Sequence, residues 1–246
     1  MDRLVYVAMS GAKQLMQAQS LLSHNLANAN THGFRADLAN FTASPIEGPG
    51  YQSRVNTVAT GGQFNNSQGA QIYTGRMLDV AIDGDGWLSV QTAEGGEAYS
   101  RAGALRINGL GLLETRSGEP VLGDNGPISI PPHTNLVIGG DGTISVVPQG
   151  QGPQTLAQIG RIKLVNPDPA LLQKRTDGLI EMVDGEVAAA DASVKVLPEY
   201  LESSNVNIAE AMVAMIELSR QFEVEVKMMR VADDNASRAA ELARIA

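Results

Sequence analysis

From Asn207 to Ala246 the chain contains neither Pro nor Gly. Asn207, with Glu210 three residues on, reads as a capping-box start in which Asn stands where Ser or Thr is more usual. Counting in sevens from Ile208 gives two apolar series. One is Ile208, Met215, Phe222, Met229, Ala236 and Ala243; the other is Ala211, Leu218, Glu225, Ala232, Ala239 and Ala246. Glu225 alone interrupts them, flanked by Val224 and Val226. A heptad pattern sustained this far predicts a coiled-coil-like helix. Glu223 precedes Lys227, and Asp234 precedes Arg238, by four residues, the favourable order for ion pairs on a helix surface. Such a helix is roughly 60 Å long at 1.5 Å per residue, about three times the usual globular helix. No small private core covers a seam of that length, so it calls for a partner helix, other copies of the chain, or both.

The N-terminal stretch supplies one such partner. Residues 3–29 read as a second helix, with Asp2 as cap and Leu4, Ala8, Gly11, Leu15, Ala18 and Leu22 at alternating spacings of four and three. Ala8, Gly11 and Ala18 leave room for a neighbouring backbone. Gly11 costs a helix about 1 kcal/mol relative to Ala, which implies a packing reason for its presence. The helix gives out in the Asn-rich run ending at Gly33, where Asn and Gly tolerate left-handed backbone. At roughly 40 Å this helix is too short to cover the C-terminal one, and the apolar seam left over predicts self-assembly.

Between the helices, residues 35–77 are broken by Pro45, Gly48, Pro49, Gly50, Gly61, Gly62 and Gly69. They read as an extended connector carrying a strand or two, with Tyr51, Phe64 and Tyr73 able to pin it. Residues 78–204 read as β. Short alternating runs, such as Leu78–Asp83, Trp87–Thr92, Ala98–Ile107, Ala157–Val165 and Val194–Tyr200, are separated by turns that include Asp85-Gly86, Asn108-Gly109, Asp141-Gly142 and Asp184-Gly185. Asn-Gly and Asp-Gly between such runs are strong hairpin signals. The expected class is therefore α+β: paired N- and C-terminal coiled-coil-like helices with an inserted antiparallel barrel or sandwich. The expected domains are a terminal helical domain (1–34 and 205–246), a connector (35–77) and an outer β-rich domain (78–204). Pro169-Ala-Leu-Leu-Gln-Lys reads as one short helix.

Little in the chain points to catalysis. The net charge is −9 with no basic block, which argues against nucleic acid. There is no Cys, hence no disulfide framework, thiolate site or Cys nucleophile. No run of apolar residues is long enough to span a membrane. Met1-Asp2-Arg3-Leu4 lacks the basic start and apolar run of a secretory signal, so export without a cleaved signal is expected. His24 and His32 sit at a helix end with no carboxylate at ligand spacing and read as solvated. Asp83-Gly84-Asp85-Gly86 begins like a calcium loop but lacks the later acidic ligands and closing Glu, so a strand turn is the better reading. Gly109-Leu110-Gly111 precedes a strand, the wrong context for a dinucleotide site. Glu181, Asp184 and Glu186 read as a solvated turn. No cofactor, metal or catalytic residue is assigned. Met212, Met215, Met228 and Met229 would ordinarily be core filling, but a stripe this long reads as an assembly face.

Three stretches resemble the flagellar rod and hook proteins of bacteria. Ser23-His-Asn-Leu-Ala-Asn-Ala-Asn-Thr-His-Gly-Phe34 is similar to that family's N-L-A-N-x-x-T-x-G-F/Y signature, matching at Asn25, Leu26, Ala27, Asn28, Thr31, Gly33 and Phe34. Leu78-Asp-Val-Ala-Ile-Asp-Gly-Asp-Gly-Trp-Leu is followed by Tyr99-Ser-Arg-Ala-Gly103 and Gly118-Glu-Pro-Val-Leu-Gly123. Leu201-Glu-Ser-Ser-Asn-Val-Asn207 leads into the long helix. Trp87 stands where the family more often has Phe. The first twelve residues and the chain length most resemble the proximal rod members. The resemblance implies a non-enzymatic subunit of the basal-body rod in the periplasmic space, exported through the flagellar type III apparatus. It would polymerise with copies of itself and other rod subunits into a hollow shaft that transmits torque and encloses the export channel. The expected assembly interface is Leu4, Ala8, Gly11, Leu15, Leu22, Leu26, Ile208, Met215, Leu218, Phe222 and Met229. Other readings are a distal rod or related hook-basal-body protein, a β-rich binding module oligomerised by its helices, and an enzyme using carboxylates of the β region.

Overall fold

The structure, a computed structural model, describes residues 4–38, 40–45, 55–60, 62–150 and 155–245. The expected Asp2 cap, Tyr51 and Ala246 lie outside the described residues, as do the side chains of Leu4, Ala239 and Ala243. The chain is α+β, with helix α1 (Leu4–Ala27) at one end, helix α2 (Ile208–Ile245) at the other, and strands between them. The described residues form two compact units. One draws on Met1–Asn28, Asp37–Gln63 and Val206–Ala246, the other on Ala29–Ala36 and Phe64–Asn205.

In the helical unit, α1 lies against α2. The Asn207 side-chain oxygen accepts from the Ala209 and Glu210 amides at 3.1 and 3.3 Å, satisfying two of the donors that a helix start leaves open. The return bond from the Glu210 side chain is not formed among the described residues. At its other end α1 stops where Asn28 closes the last turn, its amide and its side chain both donating to the His24 carbonyl. A hairpin of Asn40–Pro45 and Val55–Thr60 packs on α1, so part of the stretch read as connector is regular structure.

In the β unit the strands form small antiparallel sheets. The largest has five strands, in the order Leu164–Val165, Trp87–Gln91, Glu97–Ser100, Ile180–Met182 and Leu172–Lys174. A three-stranded sheet runs His133–Ile138, Thr143–Pro148 and Ala157–Arg161. Among the described residues no sheet closes into a barrel. Three runs expected to be single strands are interrupted. Ala98–Ile107 breaks before Gly103, whose backbone lies so close to the Val80 carbonyl that a Cβ would sit 1.6 Å from its oxygen. Val194–Tyr200 breaks at Glu199, in the left-handed region at φ 66°. Ala157–Val165 breaks between Arg161 and Leu164. The short helix after Asp168 is a 3-10 turn, Pro169–Leu171, that passes straight into a strand.

Burial is uneven between the units. The β unit holds a core that includes Val80, Leu105, Leu113, Val121, Ile144 and Val146, each essentially inaccessible. Among the described residues, the buried apolar residues of the helical unit are alanines: Ala8, Ala12, Ala18, Ala211 and Ala232. Burial free energy scales with apolar area, so the helical unit gains far less from its interior than the β unit does.

Candidate assembly surface and signature cluster

α2 buries one narrow stripe. Ala211 and Ala232 are buried and Met215, Leu218, Phe222, Glu225 and Met229 half-buried, while Ile208 is exposed. On α1, Ala8 is buried and Gly11, Leu15, Leu22 and Leu26 are half-buried. The narrow contact has a local cause. Gly11 leaves space beside α1 into which the Glu225 carboxylate fits, and a Cβ there would meet Glu225 Oε1 at 3.0 Å. The apolar surface away from this contact is not covered. Tyr6, Met9 and Met16 of α1 and Met212, Val213, Ile216, Val224 and Val231 of α2 each retain more than half of their accessible surface. Lys227 and Arg238 have no ion-pair partner among the described residues, so the expected Glu223–Lys227 and Asp234–Arg238 pairs are open.

The signature residues divide their work. Asn25 is buried and forms a two-bond bridge to the backbone of Asp37, donating to its carbonyl at 2.9 Å and accepting from its amide at 2.8 Å. One amide side chain thereby fixes where the chain returns after α1. His24 is not simply solvated, because its Nδ1 lies 2.7 Å from Asp37 Oδ2, a carboxylate thirteen residues away in sequence. Gly33 has φ 72°, and a Cβ on it would fall 2.2 Å from the Arg101 backbone. Glycine is required here on both counts. Its amide donates to the Glu202 carbonyl at 2.9 Å. Phe34 lies under the Lys174 ammonium, 3.9 Å from the ring centre, and Lys174 also donates to the Arg35 carbonyl.

Arg35, immediately after the signature, carries the centre of this arrangement. Its Nη1 donates to Glu202 Oε1 at 2.6 Å, and Arg101 Nη1 donates to Glu202 Oε2 at 3.0 Å; all three side chains are 1–2% exposed. The Gly69 amide adds a third donor to Glu202 Oε1 at 2.8 Å. Both guanidinium groups lie near the face of Trp87, at 5.7 and 5.2 Å from the ring centroid, and Phe64 packs edge-on against the indole. Arg35 Nε and Nη2 and Arg101 Nε have no hydrogen-bond acceptor, so the indole π face is their compensation. Burial pulls the Arg101 guanidinium below its ordinary value, and the adjacent Glu202 carboxylate opposes that shift. Asn205 completes the cluster, accepting from the Ala36 amide and donating to the carbonyls of Asn65 and Ser67. The quoted stretches around Gly33, Trp87, Arg101 and Glu202 thus converge in one buried cluster. Arg35, Arg101 and Glu202 carry no sequence signal of their own beyond lying inside or beside those stretches.

Among the described residues no His, Asp and Glu are grouped so as to hold a metal ion, and no helix is long and apolar enough to cross a membrane. The arrangement is that of a structural element: a rigid β unit with a charged, aromatic centre, and a helix pair whose apolar surface exceeds what it covers.

Known proteins match the chain along most of its length. Residues 5–35 match the flagella basal body rod protein family, 81–146 the flagellar hook protein FlgE/F/G D1 domain, and 197–242 the flagellar basal body rod FlgEFG protein C-terminal family. The flagellar basal-body rod protein FlgF of Escherichia coli K12 is 40% identical over 248 residues, covering 98% of each chain. The chain belongs to the flagellar basal-body rod protein family. FlgF of Caulobacter vibrioides is 35% identical over 236 residues, covering 93% of each chain. FlgG of Buchnera aphidicola from Acyrthosiphon pisum is 30% identical over 265 residues, covering 97% of this chain and 98% of its own. Within the rod family the chain is most like FlgF. It is a structural subunit of the basal-body rod and not an enzyme, and it assembles with other rod subunits.

Proposed function

We propose that this chain is a subunit of the proximal rod, exported through the flagellar type III apparatus to the periplasmic space. There it polymerises through α1 and α2 with copies of itself and with other rod subunits. The helices would pair as a coiled coil and line the hollow shaft that transmits torque and encloses the export channel. The β unit, corresponding to the outer domain expected over 78–204, would sit outside it. The observation that carries this reading is the uncovered apolar surface of the helix pair. Large side chains stay in water on both helices while the seam between them buries mainly alanine. Contiguous exposed apolar surface of this kind marks an interaction site. An isolated helix is marginal without packing, so docking supplies the order that the subunit lacks alone. The expected interface comprises Leu4, Ala8, Gly11, Leu15, Leu22, Leu26, Ile208, Met215, Leu218, Phe222 and Met229.

Replacing Leu15 or Phe222 with Asp tests the proposal. Swimming should be abolished in cells carrying either variant as their only copy, while Trp87 fluorescence of the purified chain stays native. Normal swimming by both variants would sink it.

A further inference from the structure

The chain contains two Asn-Gly pairs, Asn108-Gly109 and Asn125-Gly126, and both sit at hairpin turns of the β unit. Asn is chemically labile where glycine follows, because no side chain shields the next amide nitrogen from the Asn side-chain carbonyl carbon. The fold treats the two pairs differently. The Asn108 carboxamide is tied down at both ends: its Oδ1 accepts from the Leu110 and Leu112 amides at 2.9 and 3.0 Å, and its Nδ2 donates to Glu114 Oε2 at 3.1 Å. Those bonds must break before its carbon can turn to the Gly109 nitrogen. Asn125 has none of them. It is exposed in the two-residue turn between Leu122–Gly123 and Gly126–Pro127, and its side chain makes no hydrogen bond among the described residues. Pro127, paired with Leu122, has no N–H to give to the ladder, so this short hairpin opens locally at small cost. Gly126 has φ 109° and open space where a Cβ would stand.

We propose that Asn125 is a site of spontaneous covalent modification, converting to aspartate and isoaspartate with water as the only co-reactant. The Gly126 nitrogen attacks Asn125 Cγ. The new N–Cγ bond closes a succinimide, the Cγ–Nδ2 bond breaks, and the Gly126 amide proton leaves with the side-chain NH2 as ammonia. Water then opens the ring, its hydroxyl going to a carbonyl carbon and its proton back to the Gly126 nitrogen. Cleavage of the N–Cγ bond gives aspartate; cleavage at the main-chain carbonyl gives isoaspartate, in which the backbone runs through the side chain. Either product sets a second carboxylate beside Asp124. Isoaspartate also adds a methylene to the main chain of a turn only two residues long. The residues beyond it are not free to follow. Ile128 is buried, its amide donates to the Val121 carbonyl at 3.1 Å, and its carbonyl accepts from the Leu113 amide at 2.9 Å. The modification therefore bears on the edge of the β core.

The test ages the purified full-length chain at mildly alkaline pH, folded and, in parallel, unfolded in urea. Peptides carrying each pair are followed by mass spectrometry, and isoaspartate is counted by methyl transfer from labelled S-adenosylmethionine with an isoaspartyl methyltransferase. In urea the two pairs should convert at similar rates, since each is then a bare Asn-Gly. In the folded chain Asn125 should convert at least about tenfold faster than Asn108, whose hydrogen bonds must break first. Asn125→Gln, whose longer side chain does not close the same ring, should remove most of the methyl incorporation and leave Trp87 fluorescence native. Among the described residues Glu199 is the only non-glycine with positive φ, so position 125 takes Gln without backbone strain. Folded Asn125 that stays intact while the urea control converts would overturn the proposal. So would Asn108 converting as fast as Asn125 in the folded chain, or methyl incorporation that survives Asn125→Gln.

Discussion

Glu202 is the residue whose loss the β unit should tolerate least. Its carboxylate bridges two buried guanidinium groups, and it also accepts from the Gly69 amide. Replacing it with Leu leaves both cations desolvated and without the carboxylate that pairs with them. Breaking a buried ion pair by removing one partner costs about 3–5 kcal/mol, and here two pairs share the partner, so the loss should reach at least that range. Against a typical total of about 5–15 kcal/mol the variant should still fold, but marginally. With a urea m-value of about 2–3 kcal/mol/M, the midpoint should fall by roughly 1–2 M. The assay is built in, because Trp87 is the only tryptophan and lies against both arginines. A triple variant, Glu202→Leu with Arg35→Met and Arg101→Met, separates charge from packing. It removes the stranded cations and should be more stable than Glu202→Leu alone. A Glu202→Leu loss under about 1 kcal/mol, or a triple variant worse than the single, would refute the assignment of this cluster as an electrostatic lock.

Two further perturbations follow from the hydrogen bonding. Asn25→Ala strips the Asp37 amide and carbonyl of their partners and should cost about 1–3 kcal/mol in the thermal melt of the helical signal. Asn25→Asp, which keeps the acceptor and loses the donor, should fall between, and two wild-type melts would contradict the bridge. The Thr143 hydroxyl donates to Asp141 at 2.7 Å and holds that carboxyl below its ordinary value of 3.8. The ionised form is thereby favoured in the fold. Its stabilising contribution is present above pH 3.8 and is lost as pH falls through the lower folded-state value. Asp141 is exposed, so the contribution is small. Thr143→Val should move the Asp141 titration, followed by carboxyl NMR, back toward 3.8, and an unmoved titration would exclude the hydroxyl as the cause.

The helices were legible because their information is periodic and local. Heptad spacing, the absence of Pro and Gly, and Asn207 as cap all act within a few residues, and α2 begins at Ile208 as that cap requires. The hairpins at Asn108-Gly109 and Asp141-Gly142 were legible for the same reason, since these dipeptides specify turns by themselves, whereas the strands flanking Asp85-Gly86 and Asp184-Gly185 pair elsewhere and not with each other. What stayed hidden depends on distance. Nothing near Gly103 announces that the Val80 carbonyl will press against it, so the run from Ala98 reads as one strand and folds as two. Arg35 and Glu202 are 167 residues apart, and their pairing has no local signature. The hairpin at Asn40–Pro45 is obscured by a connector rich in Pro, Gly and small polar residues, whose pairing is fixed by packing on α1.

The two units also differ in what their stability can depend on. The β unit has large aliphatic side chains removed from water, a buried charge cluster fully described by its own residues, and a tryptophan at its centre. It draws in Ala29–Ala36 from the N-terminal side, so a fragment beginning near residue 75 discards Arg35, Gly33 and the strand that pairs with Tyr200–Glu202. Such a fragment keeps Glu202 and Arg101 but loses the second cation and the backbone that closes over them. The protease-resistant part of the chain should therefore retain the signature segment. The helical unit is the opposite case: among the described residues its buried apolar side chains are alanines, Glu225 on its seam has no ion-pair partner, and several of its large apolar side chains, such as Met16 and Val213, face water. One unit carries its free energy inside itself, and the other can reach its full stability only against neighbours.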